Sequence, residues 1–158
     1  MKIFDASDIV QFAVRIEEEG EAFYRRAAQD ERDEDTQELF SFLANEELQH
    51  KALFREMLSK METPQPAETY DGEYGAYLSD YIDGKVIFTK DVQQDLTPET
   101  KNTLSVIVFA MQREADSILY YHEAKQFIAE KYYNMIDKII TEERKHFSKL
   151  SELRKKYV

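Results

Sequence analysis

The chain has 158 residues, with 21 Lys and Arg against 32 Asp and Glu, a formal charge of −11. That length supports one domain with a core of its own, and so negative a surface repels phosphate backbones and anionic lipid, which argues against nucleic acid or a membrane face as partner. Cys is absent, which excludes disulfides, thiolate metal sites and cysteine nucleophiles, while only 4 Gly and 3 Pro interrupt the chain, a pattern of long helices rather than many strands and turns.

Residues 1–10 carry Asp5 and Asp8 and no apolar core, unlike a signal peptide. The longest apolar run, residues 106–111, is too short to span a bilayer. A soluble cytoplasmic protein is the expectation. Helical periodicity predicts a first helix over about 8–30, with Asp5 or Ser7 as N-cap, and a second over about 35–61, with Asp35 and Glu38 as a capping pair. Residues 62–97 are broken by Pro64, Pro66, Gly72, Gly75 and Gly84. So long a connection suits a crossover that runs the length of a bundle. Tyr70, Tyr74, Tyr77, Tyr81 and Phe88 are its expected packing residues, with a short helix near 76–82, and the aromatic cluster points to a homodimer. Thr97, Pro98 and Glu99 then read as the start of a third helix over about 98–129, and a fourth follows over about 131–157. Short links within each pair and a long one between them predict an all-α four-helix bundle of two antiparallel pairs in a single domain.

Each helix carries an apolar stripe, and a Glu interrupts every stripe near its middle. The interruptions are Glu17, Glu47, Glu114 and Glu143. His50 and His146 follow the second and fourth at Glu-x-x-His spacing, which sets both groups on one helical face. Four buried carboxylates repel one another intolerably, whereas two divalent cations with neutral imidazoles cancel their charge. The chain also repeats. Residues 12–29 align with 109–126, bringing Glu17 onto Glu114 and Tyr24 onto Tyr121, and residues 45–50 align with 141–146. A dinuclear site on a pseudo-twofold axis follows. Tyr24 and Tyr121 lie two turns beyond Glu17 and Glu114, placed to hydrogen-bond a ligand carboxylate. Glu46 and Glu142 stand four residues before His50 and His146; they either fix each ring or pair with Lys51 and Lys145 at the surface. Glu18 and Glu19 read as solvated, with Arg15–Glu19 and Glu21–Arg25 as surface pairs, and His122 as a surface residue.

The motif Glu17-x-x-Gly20-x-x-x-Tyr24, with the two Glu-x-x-His pairs, resembles the rubrerythrin-type members of the ferritin-like superfamily, and the resemblance spans all four helices. It implies that Glu17, Glu47, His50, Glu114, Glu143 and His146 are metal ligands, with Glu47 and Glu143 as bridges. Rubrerythrins proper carry a rubredoxin domain whose iron is held by four cysteines, and this chain has no Cys. They also carry a further Glu one turn after the third-helix ligand, where this chain has Ser117. Oxygen-rich ligation with one imidazole per metal suits two iron ions, with manganese or zinc as substitutes. The expectation is a diiron oxidoreductase that reacts with hydrogen peroxide or dioxygen and takes electrons from an external redox protein. The alternatives are an iron-binding or storage module without turnover, and a metal-free structural bundle.

Overall fold

The computed structural model describes residues 5–61 and 102–158. These form four α-helices: α1 (Ala6–Asp30), α2 (Glu34–Lys60), α3 (Thr103–Ala124) and α4 (Tyr133–Arg154). Single 3-10 turns occupy Lys125–Phe127, Glu130–Tyr132 and Lys155–Tyr157. No strand occurs among the described residues. The expected crossover over 62–97, its aromatic residues and the short helix near 76–82 lie outside them.

Local chemistry sets the helix starts. Asp5 caps α1 in a reciprocal box, accepting from the Asp8 amide at 2.9 Å while its own amide donates to Asp8 at 3.2 Å. The cap of α2 is Asp33, not Asp35. Its carboxylate accepts from both the amide and the hydroxyl of Thr36, at 3.0 and 2.6 Å, leaving Asp35 in the first turn, where it complements the helix dipole. The third helix starts at Thr103, five residues later than expected. Asn102 holds an extended backbone (φ −91°, ψ 158°), and its side chain accepts from the Ser105 amide at 2.8 Å, which makes Asn102 the cap. The same helix stops at Ala124 instead of 129, because the chain tightens into a 3-10 turn and then extends at Ile128 (φ −116°, ψ 145°). Turns likewise trim both ends of the fourth helix, expected over 131–157, to Tyr133–Arg154.

Residues 31–33 join α1 to α2, and residues 125–132 join α3 to α4. Each pair is antiparallel, as such short links require. Gln37 donates to the Ala28 carbonyl at 2.9 Å, and Lys51 reaches back to Glu21 at 2.5 Å. Along the other pair, Lys125 meets Asp137 at 2.7 Å and Arg144 meets His122 at 3.3 Å.

The core has two apolar blocks. One gathers Ile9, Val10, Ile16, Phe54, Met57, Tyr120, Ile136 and Ile139 at the end of the bundle where α1 begins. The other gathers Phe23, Phe40, Leu43, Ala44, Ile107, Ala110 and Leu150 at the opposite end. Each large side chain buried in this way stabilises the fold by about 1.5–3 kcal/mol. Between the blocks lies a layer of buried polar groups, and the apolar ends keep that layer away from water.

Candidate metal centre

The polar layer holds Glu17 from α1, Glu47 and His50 from α2, Glu114 from α3, and Glu143 and His146 from α4. None of the six is more than 6% exposed. Every residue that broke an apolar stripe in the sequence therefore points into the bundle. Their donor atoms fall into two sets, each within 4.8 Å of one another: Glu17, Glu47, His50 and Glu143 in one, and Glu47, Glu114, Glu143 and His146 in the other. Glu47 and Glu143 belong to both sets, the arrangement expected of two carboxylates lying between a pair of ions. The two imidazoles stack with centroids 5.7 Å apart and planes 20° from parallel, as the pseudo-twofold repeat requires.

The donor atoms are not satisfied by one another. Glu17 Oε2, His50 Nδ1, Glu114 Oε2, Glu143 Oε1 and both ring nitrogens of His146 are buried without an aligned hydrogen bond among the described residues. His50 Nδ1 comes within 2.6 Å of Glu143 Oε1 and 3.5 Å of Glu17 Oε2, close contacts without hydrogen-bond alignment. His146 Nδ1 stands 3.6 Å from Glu143 and 3.7 Å from Glu114. Buried polar atoms left unpaired are rare and costly. Five of them face one centre, all oxygen or imidazole nitrogen, and fit a pair of divalent cations; the sixth, His146 Nε2, is turned toward Glu46.

Without cations the layer is held together by protons. Burial lifts Glu47 well above the usual carboxylate range, and the charges of Glu17 and Glu143 add to the lift. Burial and the neighbouring Glu114 push Glu143 up to about 8. Burial also pushes Glu17 up, but hydrogen bonds from Glu47 and His50 outweigh it and leave Glu17 below its ordinary value. Glu114 is likewise lowered, its burial outweighed by Glu143 and His146. Burial pulls both histidines down, yet contacts with Glu143 and Glu17 lift His50 to about 12, and contacts with Glu114 and Glu143 lift His146 to about 10. Two imidazolium ions thus balance two carboxylates, while the two shared carboxyls stay neutral.

The supporting residues pair crosswise. Tyr24 on α1 donates to Glu114 on α3, and Tyr121 on α3 donates to Glu17 on α1. Both hydroxyls are buried, and burial together with the neighbouring carboxylate charges drives both phenols well above their usual range, so they stay protonated donors. Glu46 and Glu142 do not serve the histidines of their own helices, as their spacing had indicated. Glu142 on α4 meets His50 Nε2 on α2 at 2.8 Å, and Glu46 on α2 faces His146 Nε2 on α4 at 3.7 Å. A residue four positions away sits one turn along the same helix, and the ring plane turns its outer nitrogen toward the neighbouring helix instead. Lys51 pairs with Glu21, not Glu46. The surface pairs Arg15–Glu19 and Arg25–Glu21 form at 3.2 and 3.1 Å, and Glu18 and His122 are exposed.

Sequence reasoning missed Arg113 and Asp116 on α3 and the burial of Ser117 beside them. It also missed the reason for Gly20. A Cβ on Gly20 would lie 3.1 Å from the Glu47 carboxyl carbon, so this glycine is what lets the α2 carboxylate pack against α1. The available signal was the repeat: at an offset of 97, Arg113 stands where α1 has Ile16, and Ser117 stands where α1 has Gly20.

Four helices in two antiparallel pairs, closing on a carboxylate and histidine cluster with two shared Glu, define a ferritin-like bundle with a candidate dinuclear metal centre. Residues 8–154 match the Rubrerythrin family, and the chain belongs to that family. In fold it is similar to a crystal structure from Thermotoga maritima described as a ferritin-like diiron-carboxylate protein, with 24% sequence identity and a TM-score of 0.75, covering 100% of this chain and 99% of that one. No curated protein matches the chain.

Proposed function

We propose that the chain is a non-haem diiron oxidoreductase that reduces hydrogen peroxide or dioxygen, in a peroxidase or ferroxidase type of reaction, with electrons supplied by a separate redox protein. The observation that carries this reading is the pair of overlapping donor sets sharing Glu47 and Glu143. On this reading Glu17 and His50 would hold one ion, Glu114 and His146 the other, and Glu47 and Glu143 would serve both. Iron bound there supplies one-electron redox chemistry; the oxygen-rich donors favour iron or manganese over copper.

The chain's own residues do the rest. Tyr24 and Tyr121 keep Glu114 and Glu17 turned inward by donating to one oxygen of each and leaving the other free. Glu142 accepts from His50 Nε2, which fixes the tautomer and presents Nδ1 to the centre. The apolar blocks at either end exclude water and so strengthen every charge interaction within the layer. Glu46 and Glu142, partly exposed, give protons a route between each ring and solvent. With no Cys in the chain to hold a second redox centre, a small external donor is the expected source of electrons.

The test is anaerobic loading with ferrous iron, then addition of peroxide or oxygen. Near-ultraviolet ferric absorption that develops with two irons per chain, and iron oxidation faster than in buffer, is the expected result. Iron that binds but oxidises no faster than in buffer would leave a storage module instead, and no uptake would leave a structural bundle.

A further inference from the structure

The repeat breaks along the seam between α2 and α4, where Glu142 meets His50 and Glu46 faces His146. Phe42, Glu46, Gln49 and Leu53 share one face of α2 at helical spacing. At an offset of 96 their counterparts on α4 are Lys138, Glu142, Lys145 and Lys149. The two acids match. The other three positions change from an aromatic, an amide and an aliphatic residue to three lysines. Apart from the matched acids, one wall of the seam carries no charge and the other is a row of cations, in a chain whose formal charge is −11.

The two walls meet at Phe42. Its ring is 41% exposed, a large apolar surface left in water, and Lys149 stands over it at 5.1 Å. Behind it lies His146, with ring centroids 6.3 Å apart and planes at 86°. One aromatic side chain therefore links solvent to a candidate metal ligand. Lys145 and Lys149 are exposed, and Lys138, 70% exposed, makes only a 4.0 Å approach to Glu142. At the helical rise, Lys138 to Lys149 spans about 17 Å along α4, the reach of a protein surface rather than of a small ion.

We infer that this seam is the docking face for an acidic redox protein, whose electron enters past Phe42 to His146. The lysine row meets carboxylates of the partner and steers the encounter, against the repulsion of the remaining surface. Phe42 supplies the apolar contact at which such an interface excludes water. Each encounter passes one electron: the partner is oxidised by one and one ferric ion becomes ferrous. Two encounters supply the two electrons that, with two protons, turn hydrogen peroxide into two waters. The destination of the electron rests on the diiron reading above; the docking face does not.

The probes are a flavodoxin and a plant-type ferredoxin, acidic one-electron proteins of different fold. Carbodiimide, which joins a lysine to a carboxylate in contact with it, is applied to each probe mixed with the full chain as purified, and the linked positions are mapped by mass spectrometry. Cross-links from Lys138, Lys145 or Lys149 are expected, with saturable binding that weakens as salt rises. Replacing all three lysines with Gln should weaken binding at low salt by roughly tenfold or more, with iron content unchanged. Arg154→Gln combined with Lys155→Gln, which removes two cations outside the row, should leave binding as it was. Phe42→Ala should slow reduction of the iron-loaded, ferric chain by saturating probe severalfold. Cross-links that avoid the row, no saturable binding of either probe, or equal weakening by the Arg154 and Lys155 pair overturns the docking face. An unaltered rate in Phe42→Ala overturns the path past that ring. A native chain that docks the probes and takes up no iron refutes the diiron reading alone, whereas one that takes up iron and docks neither probe refutes only the docking face.

Discussion

Metal loading should expel protons, and the number follows from the charges in the polar layer. At pH 7 the metal-free layer holds a proton on each histidine, since His50 and His146 are lifted to about 12 and about 10. It holds another on Glu47, raised well above the carboxylate range, and most of one on Glu143, raised to about 8. Glu17 and Glu114, both lowered, hold none. Two positive and two negative charges make the layer neutral. Two divalent ions with four carboxylates and two neutral imidazoles are also neutral. Exchange between these states conserves charge only if about four protons leave for each pair of ions. Zinc is the probe of choice because it takes no part in redox chemistry. Zinc added to unbuffered metal-free protein in a pH-stat at pH 7 should release about four protons per two ions bound, and fewer at pH 9, where Glu143 is already ionised. Release of fewer than one proton per pair at pH 7, with two ions bound, would refute the account of how the empty layer is held together.

The same protons govern the stability of the metal-free bundle. His50, His146, Glu47 and Glu143 all have folded values above their unfolded ones, so the folded form binds more protons than the unfolded form, and stability falls as pH rises. Between pH 5 and 9 the thermal midpoint of metal-free protein should drop steadily, a trend the lowered Glu17 and Glu114 do not offset because they are ionised throughout that window; a rising midpoint would contradict it. Glu47→Ala or Glu143→Ala removes a carboxyl common to both donor sets, and metal analysis should show fewer than two ions per chain. Tyr121→Phe deletes the donor to Glu17 and should cost about 1–3 kcal/mol in denaturant unfolding of the metal-free form, with Tyr24→Phe similar. Phe54→Ala, in the block at the α1 start, should cost about 3–5 kcal/mol in the same assay while leaving metal stoichiometry at two.

The sequence spoke most clearly where one residue had one way to fit. A Glu in the middle of an apolar stripe has nowhere else to go, so the stripes located Glu17, Glu47, Glu114 and Glu143 together with both histidines, and the repeat related the halves. Helix ends were less legible. Asp33 and Asp35 are both good caps by composition, and only the Thr36 amide and hydroxyl, converging on one carboxylate, decide for Asp33. Thr97 and Pro98 formed a better start signal than Asn102, yet the Asn102 backbone is extended and its side chain caps Ser105. Periodicity along one helix also says nothing about which neighbour a side chain meets. The spacing left Glu142 either to the His146 ring or to Lys145, and the ring it reaches is His50 across the bundle. Arg113 was invisible for a related reason: it lies beside the stripe, and what it meets on α1, the Ile16 carbonyl, Phe23 and the space beside Gly20, is set by how the helices pack.

Crosswise pairing has a consequence for how the bundle assembles. If each tyrosine and each acid served a ligand on its own helix, either helix pair could preorganise half of the polar layer alone. Instead Tyr24 needs Glu114, Tyr121 needs Glu17, His50 needs Glu142, and His146 faces Glu46, so every supporting contact joins the α1–α2 pair to the α3–α4 pair. Buried carboxylates and imidazoles are expensive in either half by itself. Each half carries one ionised Glu and one raised His, but the tyrosine and acid partners that hold them come from the other half, so the contacts that order the site also favour one docking register. A shift of one turn, about 5.4 Å along the axis, would break all four contacts at once and bury the same charges unpaired. The polar layer therefore helps set the register of the bundle as well as forming its candidate site, alongside the close packing of the two apolar blocks.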